Sequence, residues 1–90
     1  MFNNESIAVI NRFVEALDYL KENGIIKGRN TFVTRYGLDL RNFSKAIKQP
    51  ERNIFQICWL TYLVNDYNIS ALWLLTGSGV ISKDIFNVKK

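Results

Sequence analysis

The sequence predicts an all-α fold, and three observations support this prediction. Apolar residues recur at helical spacing along most of the 90-residue chain. Glycine or asparagine follows several of these periodic segments, at points where a helix end often requires a positive φ. Hydrophobic residues make up 48% of the chain, which is enough for the core of one domain of this length.

Five helices are predicted, over residues 5–23, 29–36, 40–48, 54–67 and 71–75. Gly24 and Gly37 follow the first two helices and suit the left-handed position just beyond a helix end. Asp39, Asn53 and Ser70 precede the third, fourth and fifth helices, where their side chains can accept hydrogen bonds from free backbone N–H groups. We therefore expect a compact five-helix bundle.

The bundle is expected to occupy residues 1–79, followed by a C-terminal tail at residues 80–90. The tail mixes apolar and charged residues without a clear period. A loose strand, a short helical arm and disorder are all compatible with it. Within the bundle, Ile25, Ile26 and Cys58 are expected in the core, since free cysteine is among the most buried residue types.

The fourth predicted helix is apolar on two sides. One side carries Ile57, Leu60, Val64 and Tyr67, and the other carries Phe55, Trp59 and Tyr62. A helix that is apolar nearly all round is normally buried all round. In a small domain, however, one side can face another subunit, where Trp and Tyr are enriched. Phe55, Trp59 and Tyr62 are therefore a candidate dimer interface, and a central core helix is an equally good interpretation.

The composition argues against an enzyme. The chain has no histidine and one cysteine, so the commonest general base is absent and the usual zinc sites cannot form. No glycine-rich phosphate loop and no paired carboxylates stand out. We expect no catalytic residues, no metal and no cofactor. No small-molecule ligand is expected either, because the chain has no effector domain.

The sequence also argues against a membrane location. No apolar run reaches the roughly 18 residues of a membrane span. The N-terminus lacks the basic start and apolar block of a signal peptide. We therefore expect a cytoplasmic protein.

Positive charge is concentrated in one stretch of the chain. Residues 27–52 contain seven basic and two acidic residues, a net charge of +5, whereas the whole chain carries +4. The rest of the chain is thus close to neutral. A localised basic surface is typical of a protein that binds a polyanion such as nucleic acid.

This basic stretch contains the second and third predicted helices, joined by a tight turn at Gly37. The third helix has one apolar side, with Leu40, Phe43 and Ile47, and one basic side, with Arg41, Lys45 and Lys48. One side is suited to packing and the other to a polyanion. The pattern predicts a helix-turn-helix whose second helix enters the major groove of DNA.

The chain resembles the lambda-repressor-like, Cro/C1-type (XRE) helix-turn-helix family over about residues 13–81. Phe32 and Val33 before Gly37, and Leu38 and Phe43 after it, match the buried positions that set the angle between the two helices. Residues 69–79 resemble the Val-Ser-x-x-Trp-Leu-Leu-Thr-Gly-x-Gly ending of small phage- and Bacteroidetes-type regulators. The resemblance implies a repressor-like transcriptional regulator that binds a two-fold related operator as a homodimer.

The resemblance and the side-chain chemistry together suggest which residues contact DNA. The expected base contacts come from Leu40, Arg41, Asn42 and Lys45. Arginine can bond guanine O6 and N7 together, asparagine can pair with adenine, and leucine can meet a thymine methyl. The expected phosphate contacts come from Lys27, Arg29, Asn30, Thr31, Lys48 and Arg52.

A protein-binding module is the main alternative function. In that case the helix-turn-helix would serve as a scaffold, as in an antitoxin or a phage accessory factor, and the aromatic residues of the fourth helix or the tail would bind another protein. The basic outward side of the third helix favours DNA, because a pure protein binder would not need it. An RNA binder would be expected to show interleaved exposed aromatics, which are absent here.

Overall fold

A computed structural model describes residues 4–82, and the regular structure in this range is helical. The five α-helices are α1 (Asn4–Glu22), α2 (Arg29–Arg35), α3 (Leu40–Lys48), α4 (Ile57–Tyr67) and α5 (Ala71–Thr76). A short 3₁₀ helix, Pro50–Arg52, lies between α3 and α4. The predicted all-α class is confirmed. Backbone contacts divide the chain into an N-terminal unit, residues 1–55, and a C-terminal unit, residues 56–90.

The N-terminal unit is organised around aromatic rings. α1 and α2 each pack against α3, and the 3₁₀ helix packs against α1 and α3. The Phe13 ring of α1 makes edge contacts with Phe32, Phe43 and Phe55, at centroid distances of 5.6, 6.0 and 4.9 Å. Phe13, Phe32 and Phe43 are at most 1% exposed. Edge-to-face aromatic pairs add stability beyond that of buried area alone, so this cluster holds α2 and α3 on α1.

The predicted ends of α1, α2 and α3 are confirmed to within one residue. Gly24 and Gly37 both have positive φ, at 74° and 63°, as expected just beyond a helix end. The Asp39 carboxylate accepts a hydrogen bond from the Asn42 backbone N–H at 3.1 Å. Local sequence chemistry is therefore sufficient to determine both ends of the α2–α3 connection.

The predicted start of the fourth helix is wrong. Asn53 does not cap α4 but ends the preceding 3₁₀ helix, with φ 63° and its N–H donating to the Pro50 carbonyl. Gln56, with extended backbone, is the N-cap, so α4 begins three residues later than expected, at Ile57. Asparagine can adopt the left-handed conformation at the end of a helix and can also cap the start of one. Here Asn53 adopts the left-handed conformation at the end of the 3₁₀ helix that starts at Pro50.

The C-terminal unit contains α4 and α5, which pack against each other. Asn68 ends α4 in a left-handed conformation. The Ser70 hydroxyl caps α5, as predicted, by accepting from the Trp73 N–H at 3.1 Å. Ser82 forms an isolated antiparallel bridge with Ile69. The Ser70 N–H donates to the Ile81 carbonyl at 2.9 Å. Residues 81 and 82 are thus hydrogen-bonded to the α4–α5 connection, and the rest of the predicted tail, residues 83–90, lies outside the described residues.

Several burial predictions need correction. Cys58 was expected in the core but is exposed. The Cys58 side chain raises the pKa of Tyr62, chiefly by a hydrogen bond with it and then by charge repulsion. Ile26 is buried as expected, whereas Ile25 is 41% exposed. Cys58 is exposed because the buried side of α4 carries Trp59, Leu63 and Tyr67 instead.

Of the two alternatives for the side of the fourth helix with Phe55, Trp59 and Tyr62, the burial of these residues agrees better with the core than with one outward stripe. Trp59 is 4% exposed, and Phe55 precedes α4 and packs on Phe13. Tyr62 is half-buried. Phe55, Trp59 and Tyr62 therefore do not form one exposed surface. The most exposed apolar residue of α4 lies on its other predicted side, where Ile57 is 79% exposed, although Tyr67 on that side is buried.

Candidate nucleic-acid interface

The connection between α2 and α3 is short, and backbone hydrogen bonds tie it to the end of α2. Gly37 donates to the Thr34 carbonyl at 3.2 Å, and Leu38 donates to the Val33 carbonyl at 2.9 Å. No atom lies within 4 Å of the place where a Cβ of residue 37 would stand. Glycine is therefore favoured at this position by the positive φ and not by a close contact. The two helices are thereby held in a defined relation through backbone geometry and the Phe32–Phe43 contact.

α3 exposes its first turn and buries its middle. Leu40, Arg41 and Asn42 are exposed, Leu40 to 48%, whereas Phe43 and Ala46 are buried. The expected apolar side of this helix therefore begins at Phe43 and does not include Leu40. Of the four expected base contacts, three occupy consecutive exposed positions at the start of α3. Lys45, one turn on, is half-buried.

Asp39, the N-cap of α3, lies beside these exposed residues and is the acidic residue next to them in the sequence. Asp39, Leu40, Arg41 and Ser44 line one shallow, open depression. The Asp39 carboxylate is engaged by the Asn42 backbone N–H, as described above. The cap also orders the backbone of Asn42, so the first turn of α3 presents its side chains from a fixed frame.

Four of the expected phosphate contacts lie together at the start of α2. Lys27, Arg29, Asn30 and Thr31 line a cleft of about 520 Å³. The Lys27 backbone N–H donates to the Thr31 hydroxyl at 3.2 Å. A hydroxyl that accepts one hydrogen bond can still donate another, so Thr31 remains available to an anion.

The opposite wall of this cleft comes from α1. Leu17, Asp18 and Lys21 line it, and Asp18 forms an ion pair with Arg29 at 3.5 Å. Sequence patterns did not indicate Asp18 or Lys21 as part of the site. Their proximity to the start of α2 depends on how α2 packs relative to α1, which the sequence does not show. Both side chains of the ion pair are about half exposed, at 44% and 53%, so the pair contributes little stability. Arg29 can therefore exchange Asp18 for another anion at small cost.

Lys48 and Arg52 stand at the far end of α3. Both are exposed. Arg52 donates from Nη1 to the Gln49 side-chain oxygen at 3.3 Å, which directs its guanidinium toward the α3 end of the 3₁₀ helix. Basic residues in the last turn also interact favourably with the helix dipole. The two are separate from the cleft at α2, so the expected phosphate contacts form two groups.

Arg35 is a further basic residue, which the sequence did not single out. Its guanidinium carbon lies 5.3 Å from the centre of the Tyr36 ring, a cation–π distance. The adjacent positions of Arg35 and Tyr36 are visible in the sequence, but their stacking depends on the end of α2. Arg35 extends the positive surface along the last turn of α2.

Other kinds of site are not indicated in the part of the chain that the structure describes. Between residues 4 and 82, no three or more metal-ligating Cys, Asp or Glu side chains gather into a metal site. No helix in this range has the length and apolar character needed to cross a membrane.

Comparison of the chain with family models, curated proteins and solved structures finds no match. The α2–α3 surface therefore has to be interpreted from its own chemistry.

Proposed function

We propose that this protein binds double-stranded DNA in a sequence-specific manner and that α3 enters the major groove. The observation that carries the proposal is the first turn of α3, where Leu40, Arg41 and Asn42 are exposed together on a helix anchored by buried Phe43. Recognition helices of helix-turn-helix proteins contact bases with their N-terminal residues. The net charge of +5 on residues 27–52 supports a polyanion as the ligand.

In this proposal the exposed side chains of α3 have distinct roles. Arg41 bonds the O6 and N7 atoms of one guanine, and Asn42 pairs with an adenine. Leu40 contacts a thymine methyl, which its 48% exposure allows. Lys45 is half-buried and so reaches the DNA with less of its length. It contacts either a base edge or a phosphate.

The two groups of basic residues hold the DNA backbone. Lys27, Arg29, Asn30 and Thr31 bind phosphate on one side of the groove. Lys48 and Arg52 bind it beyond the end of α3. Phosphate contacts fix the position of the protein on the duplex but carry no sequence information. Four of these six contacts come from Lys or Arg, and neutralising phosphates with them would make binding depend on salt.

The proposed biological role is transcriptional regulation of the repressor type, with a homodimer on a two-fold related site. This part of the proposal rests on the resemblance to Cro/C1-type regulators described above. A homodimer doubles the contacts and reads two half-sites about one helical turn apart. No catalytic step, metal or cofactor is needed for this activity.

The test is selection of bound duplexes from a random pool, followed by titration of selected and random DNA at several salt concentrations. We expect an enriched motif, tighter binding of the selected duplex and affinity that falls steeply with salt. Arg41→Ala should weaken binding to the selected duplex and relax the preference at one base pair of the motif. Absence of any retention on random DNA at low salt would favour the protein-binding module.

A further inference from the structure

The cleft between α1 and the start of α2 already holds an anion that belongs to the protein itself. Arg29 Nη2 lies 3.5 Å from Asp18 Oδ1, and both side chains line the cleft of about 520 Å³ described above. Lys21 and Lys27 line it as well, so three basic side chains share the cleft with one carboxylate. This excess of positive charge attracts a further anion.

The Asp18–Arg29 pair is held loosely. Its separation of 3.5 Å is longer than the roughly 2.7–2.9 Å of a charge-assisted hydrogen bond between nitrogen and oxygen. The Arg29 side chain is 44% exposed and the Asp18 side chain 53% exposed, so water screens their attraction. Separating the two side chains leaves no buried charge unpaired, because both are already solvated.

We infer that Asp18 occupies, in the DNA-free protein, the place on Arg29 that a backbone phosphate takes in the complex. The inference rests on the proposed function, in which Arg29 binds phosphate. Carboxylate and phosphate groups both present oxygen acceptors that fit the fork of a guanidinium. Asp18 is therefore an internal competitor of DNA, and the need to displace it lowers the affinity of the protein for every duplex.

A phosphate of a DNA backbone suits this cleft better than a free phosphate ion. The charged residues that line the cleft are all exposed, so they do not enclose and desolvate a small anion. Exposed charges bind a single ion weakly because water and salt screen them. A duplex presents one negative charge per roughly 1.7 Å of its axis. Contacts from α3 would keep those phosphates at a high local concentration beside Arg29.

The competition should not depend on the DNA sequence. Phosphate contacts carry no sequence information, so displacing Asp18 costs the same on a selected duplex and on a random one. Asp18 thus sets the general affinity for DNA and leaves the base preference unchanged. It differs in this respect from Asp39, which lies beside the exposed residues at the start of α3.

Asp18→Asn is the first test, because it removes the competing charge but keeps the side-chain shape and a similar helix propensity. We expect binding to selected and random duplexes to tighten by the same factor, about two- to fivefold, in fluorescence anisotropy at 0.1 M salt. Thermal unfolding should show a folded protein. Glu5→Gln is the matched control. It removes an acidic charge from the first turn of the same helix, roughly 20 Å from Asp18 along the axis and beyond the screening length, so affinity should not change.

The Arg29→Ala background separates exchange at Arg29 from a general effect of charge. In this background the gain from Asp18→Asn should be lost or nearly lost, because no guanidinium is left to be released. Asp39→Asn provides the comparison, since the Asp39 carboxylate accepts from the Asn42 N–H and does not pair with Arg29. Its expected gain should therefore persist in the same background.

Three results would overturn the inference and leave DNA binding in place. They are an unchanged affinity of Asp18→Asn, a gain of equal size with and without Arg29, and a gain confined to the selected duplex. The last would mean that Asp18 lies near a base edge. Failure of both the wild type and Asp18→Asn to bind random DNA at low salt would instead overturn the proposed function, and the inference with it.

Discussion

Phe32 of α2 and Phe43 of α3 lie with ring centroids 5.8 Å apart and ring planes tilted by 40°. Both rings also contact Phe13 of α1, so each of the three helices of the N-terminal unit contributes one ring to the same buried cluster. Phe43 follows directly after the exposed residues of α3. The position of the proposed DNA-reading turn therefore depends on this contact.

Phe43→Ala should lower the free energy of unfolding by about 3–5 kcal/mol, because it removes a fully buried ring and leaves a cavity. Phe43→Leu should cost less, about 1–2 kcal/mol, since it keeps most of the volume. Urea denaturation measures both. Leu40→Ala is the control on the same helix and should cost less than about 1 kcal/mol, because Leu40 is 48% exposed. Equal losses for Phe43→Ala and Leu40→Ala would contradict the packing described.

Arg41→Ala should weaken binding to the selected DNA by about 1–3 kcal/mol and relax the preference at one base pair. The reason is loss of a two-point contact with guanine. Arg41→Lys keeps the charge but not the paired geometry, so it should retain affinity for random DNA and still lose preference. Fluorescence anisotropy with the selected duplex and its single-base variants measures both effects. Equal weakening on selected and random DNA would show that Arg41 contacts phosphate only.

Lys48→Ala should weaken binding to selected and random DNA to the same extent. Its side chain is expected to hold a phosphate, so the slope of log K against log salt should fall by about one. The measurement is a salt titration of both duplexes. A slope identical to that of the wild type would remove Lys48 from the interface.

Asp39 offers a pair of substitutions that separates folding from binding. Asp39→Asn should keep the helix cap, because asparagine caps as well as aspartate, and it should tighten binding to random DNA by removing a negative charge near phosphate. Asp39→Ala should also remove the charge but lower the free energy of unfolding by about 0.5–2 kcal/mol, because it loses the hydrogen bond from the Asn42 N–H. Thermal unfolding and salt-dependent titration give the two quantities. Weaker DNA binding by Asp39→Asn would mean that the carboxylate itself contacts the DNA.

Features determined by local chemistry could be predicted from the sequence. Asp39 and Ser70 cap the starts of helices, as predicted from their side chains. Gly37 follows the end of α2 with a positive φ, as predicted for a residue without a side chain. Phe32 and Phe43 were also placed correctly in the core, because the spacing of apolar residues in α2 and α3 leaves one buried side.

Other features depend on competition that the sequence pattern does not resolve. Asn53 is suited both to cap a helix and to end one, and the 3₁₀ helix at Pro50 decides between them. α4 has apolar residues on two sides, so periodicity could not tell that Trp59 is buried while Ile57 and Cys58 are exposed. The Asp18–Arg29 ion pair joins residues eleven positions apart on two helices. Such a pairing requires the tertiary fold.

Because charge is distributed unevenly along the chain, added salt should have opposite effects on the interactions of the two units. Added salt screens the basic N-terminal unit and weakens its hold on a polyanion. A strongly hydrated anion such as sulfate strengthens apolar association, so it favours contact through residues 56–82, which contain one charged residue, Asp66. Dimer and DNA affinities measured across a sulfate series should therefore diverge. We expect the protein to be released from DNA at high salt and to bind its duplex again on dilution.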